Sequence, residues 1–142
     1  MVSVNLDLKI AGVGPTSFDP NISSTPRHTV LVVEDKEMLL RLLTDYLRSA
    51  GYEVLSARNG REALELLDGR NVDLIISDMR MPEVDGLEFV RRRRQEIPFI
   101  LLSADIQELQ REGKLEGLNL AATIEKPYSF SEIECQISRL LE

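Results

Sequence analysis

The chain has 142 residues, 43% of them hydrophobic and 29% charged, with 17 basic against 24 acidic side chains, one cysteine and one histidine. That length fits one domain whose core needs no covalent staples, and Cys135 alone cannot build a disulfide framework, so a reducing, cytoplasmic location is expected. The apolar runs fall short of the roughly 20 residues a membrane helix needs, no signal-peptide pattern opens the chain, and a net charge of −7 disfavours binding to the nucleic-acid backbone; neither a membrane nor a nucleic acid is an expected partner.

Residues 1–28 hold three of the six prolines, two of the eight glycines and few charges, which reads as an extension and linker ahead of a domain at 29–142. Within it Val2, Val4, Leu6, Leu8 and Ile10 alternate with polar residues. This is a strand pattern with one apolar face, able to pair with a sheet edge, a partner or a second copy in a homodimer.

From Thr29 the apolar period switches repeatedly between strand and helix. Residues 29–34 (TVLVVE) form a β-branched run of the kind buried on both faces. Leu39, Leu42, Leu43, Tyr46 and Leu47 then recur at helical spacing, closed by Gly51. A strand is predicted at 52–57, a helix at 61–67 ended by Gly69, a buried strand at 72–77, a loop at 78–85 and a helix at 86–95 cut by Pro98. A strand at 99–102 follows, then a weakly patterned helix around Ile106 and Leu109 broken near Gly113 and Gly117, and a short strand at 121–124. Phe130, Ile133, Ile137, Leu140 and Leu141 line the last helix, with Ser131 and Glu134 spelling a capping box. Five strands alternating with five helices predict an α/β protein, a parallel sheet covered on both sides. Ligands then bind beyond the carboxyl ends of the strands.

Those ends carry the chemistry. The first strand runs into Glu34 and Asp35, the third into Asp78, the fourth into Ser103 and the fifth into Glu125, Lys126 and Pro127. If the first and third strands are neighbours, three carboxylates converge and repel unless a cation sits among them. A hard divalent ion with oxygen ligands, Mg²⁺ or Mn²⁺, answers that need. With a hydroxyl and an ammonium added, the set suits phosphoryl transfer, where positioning and charge neutralisation do most of the catalysis.

The segments VLVVED, SDMRMPEVDG, LLSAD and EKP, in this order, resemble the receiver domain of two-component response regulators over residues 29–142. The resemblance implies a doubly wound, flavodoxin-like sheet of order 2-1-3-4-5. It implies that Asp78 accepts a phosphoryl group from a phosphohistidine on a sensor kinase or phosphotransfer protein. Asp35 and Asp78 would then ligate Mg²⁺ directly, Glu34 through water, and Arg80 through its backbone carbonyl. Lys126 would pair with the phosphoryl oxygens, aimed by a peptide to Pro127 that is commonly cis. Ser103 would be the switch hydroxyl, and Gly86 would let the chain turn into the third helix. Such a protein is a phosphoryl acceptor with at most slow autodephosphorylation rather than an enzyme, and a downstream protein reads its changed surface.

The chain departs from the family pattern at Glu34, where aspartate is commoner, and at Thr123, where a switching aromatic is usual. Tyr128 is expected to cap the core under the last helix. The glycine-broken stretch 111–119 points to a signalling face that rearranges differently. Arg80 and Asp105 occupy positions that flank the path of hydrolytic water in this family and are read as exposed loop charges, a pair across the site being the sharper alternative. Arg91 to Arg94 spread around a helix rather than forming a nucleic-acid stripe, with Arg94 snorkelling at the helix end. His28 and Cys135 are expected to be inert. With nothing long after Leu141, a stand-alone receiver is expected, or else a fragment of a hybrid kinase. A degenerate receiver serving as a docking scaffold is the first alternative. An aspartate-nucleophile phosphatase is disfavoured because Asp35, Lys36 and Glu37 lack its acid spacing, and a flavin module because that loop has no phosphate-binding glycines.

Overall fold

The computed structural model describes residues 27–93 and 96–141. The predicted strand at 2–10 and the proposed role of Arg94 lie outside the described residues. In chain order the elements are β1 (Thr29–Val33), α1 (Glu37–Ser49), β2 (Glu53–Ala57), α2 (Gly60–Leu67) and β3 (Leu74–Asp78), then α3 (Gly86–Arg92), β4 (Phe99–Ser103), α4 (Ile106–Arg111), β5 (Ala122–Glu125) and α5 (Phe130–Leu141). All strand pairs are parallel and the sheet order is β2-β1-β3-β4-β5. The doubly wound α/β architecture expected from the sequence is therefore the one observed.

Alternation along each buried strand divides the core in two. Leu31, Val33, Ile75, Phe99 and Leu101 face the layer that includes residues of α2, α3 and α4. Val30, Val32, Leu74, Ile76, Ile100 and Leu102 face Leu40, Leu43 and Leu47 of α1 and Ile133 and Ile137 of α5. Every residue of β3 and β4 is buried, as an inner parallel strand covered on both faces must be.

Several local details differ from the sequence reading. The buried face of α1 is Leu40, Leu43, Thr44 and Leu47, whereas Leu42 is 51% exposed; the leucine-rich stretch satisfies two neighbouring stripes, and packing on β1 and β2 selects this one. The same helix ends as predicted, in a Schellman motif: Gly51 has φ 104°, its N–H donates to Arg48 O at 3.0 Å, and Tyr52 N–H donates to Leu47 O at 3.1 Å. Helix α3 stops at Arg92 rather than 95, because Arg93 turns extended (φ −65°, ψ 139°). Its guanidinium lies 5.1 Å from the Phe99 ring centroid and donates to Asn119 O at 3.2 Å.

The capping box of α5 uses Ser129 and Glu132 rather than Ser131 and Glu134. Ser129 Oγ accepts from Glu132 N–H at 3.2 Å, and Ser129 N–H donates to Glu132 Oε1 at 3.0 Å. Glu134 is occupied elsewhere, accepting from the Tyr46 hydroxyl at 3.0 Å. The weak fourth helix is short, and Gly113 and Gly117 beyond it both take positive φ. Among the described residues no helix is long and apolar enough to cross a membrane.

Candidate functional site

The ladders set the site by continuing one residue past the strands. Val33 lies opposite Ser77, so Glu34 and Asp78 leave neighbouring strands side by side. Glu34 N–H donates to Ala57 O at 3.1 Å, Met79 N–H to Leu102 O at 2.9 Å, and Lys126 N–H to Ser103 O at 2.9 Å. Glu34, Asp78, Ser103 and Lys126 are thus set by backbone pairing of a buried sheet, which holds them more tightly than a loop would.

Glu34, Asp35 and Asp78 each offer a carboxylate oxygen lying within 4.8 Å of the others. Glu34 and Asp78 are buried, each 2% exposed. The Lys126 ammonium is ion-paired with Asp78 Oδ1, and the peptide between Lys126 and Pro127 is cis. Burial raises the pKa of Glu34 above its ordinary value. The Lys36 N–H that donates to its Oε2 at 3.0 Å opposes the shift, the Asp78 charge reinforces it, and Lys126 opposes it. Glu34 Oε1 and Asp35 Oδ1 are buried acceptors without a hydrogen-bond partner. Clustered carboxylates with unpartnered oxygens are the donor set of a hard divalent cation, so the residues present fit Mg²⁺ or Mn²⁺.

Ser103 is buried at the end of β4, and its hydroxyl is hydrogen-bonded to Asp105 Oδ1. Asp105 Oδ2 accepts from Arg80 at 2.6 Å, so Arg80 and Asp105 form a pair and are not independent loop charges. Donation from Ser103 lowers the pKa of Asp105, partly offset by burial and reinforced by Arg80. Thr123 is half-buried on β5 opposite Leu101.

Gly86 serves the site by being small. Its N–H donates to Met79 O at 2.8 Å, and a Cβ there would stand 2.5 Å from Asp78 O and 2.9 Å from Met79 Cα. Its φ is not positive, so close approach of backbones, and not the turn expected from the sequence, demands glycine. Gly60 plays a matching part that sequence reading missed. It donates to Val84 O at 3.1 Å, and a Cβ would meet Val84 at 2.6 Å. Beside it Arg61 pairs with Glu83 at 2.9 Å, where Glu83 holds φ 64°. The loop after Asp78 is thereby clasped to the start of α2.

Tyr128 caps the α1 and α5 side of the core, as expected. Burial, then the charges of Glu34 and Asp78, push its hydroxyl up to about 12. Its place after Lys126 and Pro127 was the available signal, but side-chain periodicity says nothing of where the hydroxyl points.

A carboxylate cluster that fits a divalent cation, with an ammonium beside it, thus sits at the carboxyl ends of a doubly wound parallel sheet. The family model for the response regulator receiver domain matches residues 30–138. The chain belongs to that family. It is 34% identical over 117 residues to the alkaline phosphatase synthesis transcriptional regulatory protein PhoP of Bacillus subtilis, covering 79% of this chain and 48% of PhoP. It is 37% identical over 126 residues to the transcriptional regulatory protein BaeR of Escherichia coli, covering 86% of this chain and 50% of BaeR. The chain spans about half the length of these curated relatives. Among solved structures, the chemotaxis response regulator CheY4 of Vibrio cholerae superposes with a TM-score of 0.74 at 28% identity, over 82% of this chain and 100% of that one.

Proposed function

We propose that Asp78 accepts a phosphoryl group from a phosphohistidine of a sensor kinase or phosphotransfer protein, and that the modified domain, residues 29–142, is read by a downstream protein. The observation that carries this reading is the Asp78 carboxylate: buried, ion-paired with Lys126 and within 4.8 Å of oxygens of Glu34 and Asp35. A bond forms between the Asp78 carboxylate and phosphorus as the bond from phosphorus to the histidine nitrogen breaks. Lys126 already neutralises Asp78 and stays within reach of the incoming phosphoryl oxygens. Asp35 and Asp78 would hold Mg²⁺ directly, Glu34 through water, and the Arg80 carbonyl would complete the set; the bound ion would screen the negative charge that gathers at the acceptor.

Ser103 is the proposed switch hydroxyl. Its bond to Asp105 must be exchanged for one to the phosphoryl group, which couples phosphorylation to the loop that opens α4. The Arg80 and Asp105 pair stands over the same approach and would slow the entry of hydrolytic water, so the chain acts as an acceptor with slow autodephosphorylation. This chemistry suits a cytoplasmic protein. Incubation with Mg²⁺ and a small acyl phosphate, followed by intact mass, tests the reading. One added phosphoryl group, abolished by Asp78→Asn, is the expected result. No gain with any donor would instead favour a docking scaffold.

A further inference from the structure

Tyr128 leads from the Lys126–Pro127 pair into α5, and its ring packs on the α1 and α5 side of the core. Its hydroxyl oxygen is buried without a hydrogen-bond partner. Buried tyrosine hydroxyls ordinarily find one, and a phenol is a donor as long as it stays protonated. The negative charges that act on it are those of Glu34 and, less strongly, Asp78.

These two carboxylates differ in what they have left to accept. Asp78 Oδ1 is taken by the Lys126 ammonium. Glu34 Oε2 accepts the Lys36 N–H, whereas Glu34 Oε1 is a buried acceptor with no partner. Alternation along β1 puts Glu34 on the face of Val32, in the α1 and α5 core where Tyr128 packs, so the unpaired phenol and Glu34 Oε1 share one side of the sheet; Asp35 Oδ1 is unpaired as well. Burial leaves the phenol and Glu34 Oε1 no bulk water, and the Lys126 ammonium is committed to Asp78.

We propose that Tyr128 is a positioning residue of the carboxylate site, its hydroxyl donating to Glu34 Oε1 through one bridging water. That bond fixes the glutamate rotamer without neutralising its charge, as hydrogen bonds behind metal ligands do. It matters more for glutamate than for a shorter carboxylate, because Glu34 has one more rotatable bond to hold. The inference rests on the reading of this cluster as a divalent-cation site.

Tyr128→Phe keeps the ring and removes only the hydroxyl. Calorimetric titration of the parent, Tyr128→Phe, Glu34→Gln and the double variant with Mg²⁺ provides the test. The Mg²⁺ dissociation constant of Tyr128→Phe is expected to rise about tenfold, with the metal-free thermal midpoint not lowered and the double variant binding no more weakly than Glu34→Gln alone. Parent-like affinity in Tyr128→Phe overturns the inference and leaves the cation-site reading intact. Full additivity in the double variant overturns it as well, by placing the effect of the hydroxyl away from Glu34. A parent that binds no Mg²⁺ overturns the reading and the inference together.

Discussion

Glu34 shows how much of the site is electrostatics held in place by burial. Its raised pKa means that the folded state favours the protonated acid. The resulting stabilisation is fully present below the ordinary value of 4.5 and is lost as pH rises through the raised value. Cation binding needs the ionised form, so Mg²⁺ affinity is expected to climb with pH over that same interval. Titrations with Mg²⁺ at stepped pH should show the climb in the parent and a much flatter profile in Glu34→Gln; identical profiles would contradict the assignment. Gly86→Ala tests the other constraint on the site, since its Cβ would press on the Asp78 carbonyl. A loss of about 1–3 kcal/mol in urea unfolding is expected for such overpacking. The acidic and basic site residues were legible because each follows an apolar strand run. The need for glycine at position 86 was misread, and the tie between Gly60 and Val84 was not seen. Both depend on how closely two backbones approach, which a residue pattern does not encode.

At the scale of elements, overlapping signals decide what a sequence can tell. The segment Ser129 to Glu134 contains two serines, each followed three residues later by glutamate, and the structure uses the first. Ser129→Ala should therefore cost about 1 kcal/mol in urea unfolding, while Ser131→Ala should stay within about 0.5 kcal/mol of the parent; the reverse order would support the other register. Helix α1 shows the same ambiguity among its leucines, because polar Thr44 occupies a buried position and hides the true stripe. The strands were easier to read. Inner parallel strands are apolar on both faces, so β1, β3 and β4 stand out as continuous runs, whereas Arg93 leaves α3 for a tertiary reason, its stacking on Phe99 and its bond to Asn119.

At the scale of the whole molecule, periodicity gives the number of strands and helices and their parallel arrangement, but not the order of the strands, which came from resemblance to the receiver family. That order brings β1 beside β3 and gathers Glu34, Asp35 and Asp78. Part of the net charge of −7 is thus concentrated in one buried pocket, where the Lys126 ion pair and the fit to a divalent cation offset the cost of burying it. The central claim is that Asp78, rather than either neighbouring carboxylate, takes the phosphoryl group. Reduction of the acyl-phosphate-treated protein with borohydride converts a phosphorylated aspartate to homoserine, and peptide mass spectrometry then locates it. Homoserine at position 78 alone is the predicted result; the label at Asp35, or reduced Glu34 with Asp78 untouched, would contradict the account.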